Sequence, residues 1–340
     1  MHSTTVRHFL PDRLVLVAII FFGAVAMIFL DSHDVWLTKL IAAYRQEWFV
    51  TLMGDSLFEL EQPGGGDLVV FFLIGSVLLY LASSLVDTPC DHWPVLGRAK
   101  RIITGRPSLS SALRYHRLRL EFLLVSSFSC AILMVKTLKW AMARPRPKLT
   151  IFGTMPFSDW HEFGPFFLDA GTYRASFPSG HAALAVTLVG LAYVALYSTA
   201  GPRRQKNGLL LLCACLLFAA AMGTARVMSI AHWPTDVAFS FFGGWLLIHC
   251  LFFYGLRVVE PQGGTYHYRG QDTPPPPWRA FILCWYLSLF CLALTVCILG
   301  LRHFFFDRWP WLVCFSVVSL PVMYQALRKT REAGLFIPRA

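Results

Sequence analysis

Eight runs of apolar residues, each near the length that crosses a bilayer, constrain this chain more than any other feature of it. A hydrocarbon core about 30 Å thick takes roughly 20 residues of helix. The runs fall at about 14–30, 68–85, 118–135, 182–200, 208–225, 237–256, 280–301 and 309–327. Backbone N–H and C=O groups find no water in lipid, so only helices and closed barrels span it. Runs this long, without period-two alternation, predict helices. The expected fold is all-α, a polytopic transmembrane bundle. A composition of 56% hydrophobic and 14% charged residues agrees, because a water-soluble surface needs more polar groups. The first run follows a short basic segment and contains Ala24-Val25-Ala26, as a cleavable signal would. It continues through Met27-Ile28-Phe29-Leu30, so an uncleaved anchor is expected.

The formal charge of +11 could point to nucleic acid, but the basic residues alternate with the apolar runs and form no basic domain or helix face. Topology explains them better. Arg7 and Arg13 precede run one. Arg98, Lys100, Arg101, Arg106, Arg114, Arg117 and Arg119 follow run two, and Arg203, Arg204 and Lys206 follow run four. Arg257, Arg269 and Arg279 follow run six, and Arg328, Lys329, Arg331 and Arg339 follow run eight. An even span count with a cytoplasmic N-terminus puts all of these in the cytoplasm, as the positive-inside rule requires. The other side receives residues 31–67, where acidic residues outnumber Lys39 and Arg45. Trp36, Leu40, Tyr44, Trp48 and Leu52 recur there every four residues, as in an interfacial amphipathic helix or a soluble cap helix. Gly64-Gly65-Gly66 lacks the spacing of a phosphate loop. Pro274 to Pro277 reads as a stiff linker. Eight of the nine cysteines lie inside apolar runs, so no disulfide framework or CxxC metal pair emerges.

Three polar clusters sit at run ends on the side opposite the basic loops, where polar groups near lipid need a reason. The first is Lys139 to Arg144-Pro145-Arg146-Pro147. The second is Ser176-Phe177-Pro178-Ser179-Gly180-His181. The third runs from Arg226 to His232-Trp233-Pro234-Thr235-Asp236. Their order and spacing resemble the type-two phosphatidic acid phosphatase (PAP2) superfamily, with its K-x6-RP, PSGH and R-x5-H-x3-D signatures. Lys139, Arg146 and Pro147 match the first, Pro178 to His181 the second, and Arg226, His232 and Asp236 the third. The third motif of many relatives begins Ser-Arg, whereas Ala225 precedes Arg226 here. The resemblance covers a six-span core, residues 1–256, with a basic cytoplasmic loop at 86–117 and extracytoplasmic loops at 31–67 and 148–175. A linker and two further spans fill residues 257–340.

The chemistry can be argued from the residues themselves. Phosphoryl transfer needs positive charge on the equatorial oxygens, an in-line nucleophile and an acid for the leaving oxygen. Arg146 and Arg226 suit bidentate contacts to phosphate and Lys139 a point charge. Ser179 and Gly180, opening run four, are expected to offer free backbone N–H groups to the same anion. Pro234 favours a helix start, which puts Asp236 in the first turn, within reach of the His232 imidazole. A carboxylate that fixes the tautomer of a histidine leaves the other nitrogen to attack. His232 is the expected nucleophile and His181 the acid for the leaving group, roles that the resemblance also implies. Lys136, Arg144 and Lys148 are expected only to anchor the span at the interface. His161-Glu162 lacks the second histidine of a zincin motif, and no metal or other cofactor is expected.

The activity implied is a metal-independent membrane phosphatase acting through a phosphohistidine on a lipid phosphomonoester or pyrophosphate. Undecaprenyl pyrophosphate, phosphatidylglycerophosphate, phosphatidate and lipid A are all candidates. The expected place is a bacterial inner membrane with the site facing the periplasm, and the expected partners are membrane lipids and no nucleic acid. Two alternatives share the motifs: a lipid-to-lipid phosphotransferase, and a non-catalytic lipid-binding or transport relative.

Overall fold

The computed structural model describes residues 11–55, 65–90, 92–162, 175–197, 202–258, 277–305 and 309–335. Arg7, Arg269, Arg339, Pro274 to Pro276 and residues 163–174 of the loop between the first two motifs lie outside it. Among the described residues every regular element is helical, and eight helices are long and apolar enough to cross a membrane. They are span one (Asp12–Asp31), two (Asp67–Asp87), three (Pro107–Ile151), four (Gly180–Tyr197), five (Gln205–Met228), six (Pro234–Gly255), seven (Arg279–Phe305) and eight (Pro310–Glu332). The chain is an all-α polytopic integral membrane protein.

Burial sorts these spans. In the most apolar window of span four 67% of residues are buried, and in that of span three 61%, against 17% in spans one, seven and eight. Spans three and four are therefore central, and the other three present apolar side chains such as Phe21, Trp285 and Val318 outward. Such surface is stable only where the solvent is itself apolar. The main core joins Phe122 of span three, Tyr193 of span four, Met222 of span five and Ile248 of span six. Spans five and six approach so closely at Gly223 that an added Cβ would stand 2.2 Å from Val237 Cγ1. A glycine there sets the spacing between the two helices that carry the third motif.

The basic segment expected as a loop at 86–117 is helical. It holds a helix at Pro94–Thr104 and the first turns of span three, which begins at Pro107 and not near residue 118. Arg117, counted as a loop cation, is 2% exposed and donates to the Ser83 carbonyl at 2.6 Å and to Asp87. Its charge is matched by a carboxylate and a carbonyl that lie 30 or more residues away, beyond the reach of a periodicity argument.

At the opposite end, residues Asp34–Ala43 form a helix with its faces reversed from those of a soluble cap. Its polar Asp34 and Thr38 are buried, and Trp36 and Leu40 are exposed, as are Tyr44, Trp48 and Leu52 beyond it. That outward apolar stripe is what an interfacial helix presents to lipid.

Candidate active site

The three motif loops meet at this same end, and each is shaped by one local backbone device. The long helix of span three breaks at Ala143, whose φ of 50° is left-handed and costly for a residue with a Cβ. The chain then passes through Arg144-Pro145 to an extended Arg146 before Pro147 opens a short helix, Pro147–Ile151. Arg144 turns inward and is 1% exposed, while Arg146 lines a cavity.

The spacing of the third motif follows from how span five ends. Ile230 is left-handed, with φ 57°, and donates to the Val227 carbonyl at 2.9 Å, while Ala231 N–H donates to the Arg226 carbonyl at 3.1 Å. This paired reversal at a helix C-terminus satisfies two orphan carbonyls and returns the chain toward the bundle. Arg226 thus stays on the last turn, and His232 comes back beside it. Asp236 then closes the start of span six by accepting the Trp233 N–H at 2.8 Å.

The second motif is stitched between the other two. Ser176 N–H donates to the Arg144 carbonyl at 2.8 Å, and its hydroxyl donates to the Pro145 carbonyl at 3.0 Å. Trp233 Nε1 reaches that same Pro145 carbonyl at 2.9 Å. Ser179 caps span four weakly, its oxygen 3.5 Å from Ala182 N, and its own N–H donates to the Asp236 carbonyl at 3.3 Å. The expectation of a free N–H on Ser179 is therefore corrected, since that donor already joins motif two to motif three. Gly180 does line the cavity.

That cavity has a volume of about 600 Å³. Lys139, Arg146, His181, Arg226 and His232 line it together, so the structure gathers the expected cations and both histidines around one space. The rest of its wall is largely apolar and comes from spans two, three and four, including Val70, Leu73, Leu124, Phe128 and Leu184. Lys136, expected only to anchor, lines it as well. No carboxylate does so among the described residues. Lys139 Nζ is held by the Ala175 carbonyl at 2.6 Å.

His232 is 3% exposed, and its Nδ1 lies 2.7 Å from the Ser176 carbonyl oxygen. A carbonyl can only accept, so Nδ1 carries the proton and Nε2 keeps its lone pair. Burial pushes the imidazole down to about 4, against the opposing pull of Asp236, so the ring is neutral near pH 7. The expected orientation by Asp236 is met indirectly, because its Oδ2 stands 3.7 Å from Nδ1. At that distance the carboxylate balances an imidazolium charge but does not share the proton.

Asp236 is itself fixed by Arg144, the residue whose role the sequence concealed. Arg144 donates from Nη1 to Asp236 Oδ1 at 2.8 Å and to Thr235 Oγ1 at 2.7 Å, from Nη2 to Asp34 Oδ2 at 2.8 Å, and from Nε to the Ser158 carbonyl at 2.7 Å. Its guanidinium carbon sits 5.4 Å from the Phe157 ring centre and 5.5 Å from that of Trp233. This cation is enclosed and fully bonded, not an interfacial anchor. Asp34 completes the layer by accepting the Thr235 N–H at 2.9 Å and the Thr235 hydroxyl. Burial pushes the Asp34 carboxyl up to about 6, with Arg144 opposing. A charged residue at the end of a long helix, with carboxylate partners 92 and 110 residues away, gave no local signal of this. The R-P-R-P spacing gave no hint that its two arginines part, since residues two apart in an extended segment share a face.

Among known proteins, residues 120–260 match the model of the PAP2 superfamily, a stretch that holds all three motifs. No curated protein and no solved structure matches the chain.

Proposed function

From membership of the PAP2 superfamily, carried by residues 120–260, we propose that this membrane protein is a lipid phosphate phosphatase working through a phosphohistidine. The family is one of phosphatases, which accounts for the general activity. The observation that carries the lipid is the cavity, in which a cationic, histidine-bearing head runs into an apolar wall built by membrane spans. A ligand that fits both parts has a phosphate at one end and hydrocarbon at the other.

In this reading Lys139, Arg146 and Arg226 hold the phosphate oxygens. Nε2 of His232 attacks phosphorus in line and forms an N–P bond as the bond to the leaving oxygen breaks. His181 donates a proton to that oxygen. Asp236 offsets the charge that develops on the ring, and Arg144 with Asp34 keeps Asp236 in place. Water, deprotonated by His181, then attacks phosphorus; the N–P bond breaks, and inorganic phosphate leaves with the nucleophile restored. Because side chains supply the positive charge, turnover proceeds without a metal.

The test is release of inorganic phosphate from a panel of lipid phosphates in detergent with chelator present, comparing wild type with His232→Ala. Turnover that survives chelator and vanishes in the variant is expected. Activity lost with chelator and retained by the variant refutes the mechanism. A labelled donor, with phosphate arriving only on an acceptor lipid, would replace hydrolysis by phosphotransfer. Release from water-soluble monoesters alone would remove the lipid.

A further inference from the structure

Span seven lies outside the family match, yet an arginine anchors it at each end, and the two anchors hold different things. Away from the cavity, Arg279 Nε donates to Glu121 Oε1 at 2.5 Å, and both side chains are buried. At the cavity end Arg302, 3% exposed, donates from Nη1 to the carbonyl oxygens of Ala141 at 2.7 Å and Trp140 at 3.3 Å. Those carbonyls belong to the last turn of Val135–Met142, the part of span three that carries Lys139. The residue four positions after Ala141 is Pro145, which has no N–H to give, and the left-handed Ala143 turns the chain away. A helix end of this kind leaves carbonyl acceptors and the negative end of the helix dipole, and a buried cation answers both. One turn earlier on span seven, Ile298 packs against Ala141, Met142 and Phe177, the last of these from the second motif loop.

We propose that Arg302 is a positioning residue for the phosphate site. By closing the end of span three it fixes the turn from which Lys139 and Arg146 reach the cavity, so a span outside the family core completes the anion clamp. The inference rests on the phosphatase reading for its chemistry, and on hydrogen bonds at Ala141 and Trp140 for its geometry.

The test compares Arg302→Met with Arg279→Met in the full chain in detergent. Three quantities are read: the melting temperature, kcat on a lipid phosphate, and the dissociation constant of orthovanadate as a phosphate mimic. Misplacement of a reacting group by an ångström costs on the order of 100-fold in rate, so Arg302→Met is expected to lower kcat by about that factor and to weaken vanadate by roughly tenfold. Arg279→Met is expected to lower the melting temperature at least as much while leaving kcat and vanadate affinity within about threefold of wild type, because it touches no part of the clamp. Arg302→Lys, which restores a charge at the helix end, should recover part of the loss. Wild-type vanadate affinity in Arg302→Met, or equal losses in both variants in step with their melting temperatures, would reduce Arg302 to an anchor and overturn the proposal. A wild-type protein that binds no vanadate overturns it too. If wild type releases no phosphate yet vanadate shows the expected contrast, the positioning role stands and the phosphatase reading alone fails.

Discussion

Both ends of the bundle are rich in arginine, and they use it in opposite ways. Away from the cavity the buried Arg117 and the exposed Arg114 meet Asp87, and the buried Arg279 meets Glu121. At the cavity end the carboxylates Asp34 and Asp236 are both gathered by Arg144, one layer behind the cavity, and none lines the space where Lys139, Arg146 and Arg226 converge. A matched cation ties spans together. Cations around a cavity that no carboxylate lines among the described residues repel one another, which suits the anion proposed above. Charge is matched between spans at one end and gathered around a cavity at the other.

Substitutions can break this contrast. The largest effect is expected from His232→Ala, which should cut single-turnover phosphate release by about 10⁴-fold or more, as loss of a nucleophile does elsewhere. Next is Arg144→Met, which leaves Asp34 and Asp236 buried without their cation. A loss of about 3–5 kcal/mol in unfolding free energy follows from a broken buried pair. Adding Asp34→Asn should return part of it, and no recovery in the double variant would remove the coupled layer from the account. Arg226→Lys keeps the charge but not the fork, and should lower kcat/KM by a factor that corresponds to about 1.5–3 kcal/mol. An unchanged kcat/KM would take Arg226 off the phosphate. Gly223→Ala forces a methyl against Val237 and should cost about 1–3 kcal/mol, with Val237→Ala in the same chain relieving it.

The smallest expected effects concern pH. Asp34 is easier to protonate folded than unfolded, so its contribution to stability is present below its ordinary value and lost as pH rises to about 6. His232 is harder to protonate folded, so its contribution is present above its ordinary value and lost as pH falls to about 4. Between pH 4 and 6 the two slopes oppose each other. The melting temperature of Asp34→Asn minus that of wild type should rise with pH, and that of His232→Gln minus wild type should fall. Parallel curves would show that neither group is held as described.

Much of this was legible in the sequence, and for identifiable reasons. Hydrophobic run length reports the spans, because the membrane imposes one length on every crossing. Motif spacing reports which loops carry the cations and histidines. What escaped depends on distance or direction. Arg144 looked like an interfacial arginine because its partners, Asp34 and Asp236, come from the helix after span one and from span six. The acceptor for His232 is a backbone carbonyl, that of Ser176, which no residue type advertises. Span three was placed too late because Arg117 and Arg119 read as loop cations, although both are buried. A charged residue interrupts an apolar pattern even where the fold supplies its counter-charge.

Asp34 is made some 200 residues before Thr235, whose N–H and hydroxyl it accepts. During synthesis the chain therefore inserts its first five spans without a formed site. The loop that bears His232 is locked only when span six enters and packs against span one. The clamp proposed above waits longer still, for span seven, so a chain arrested or truncated before span six holds neither the Asp34–Thr235 contact nor that of Arg302.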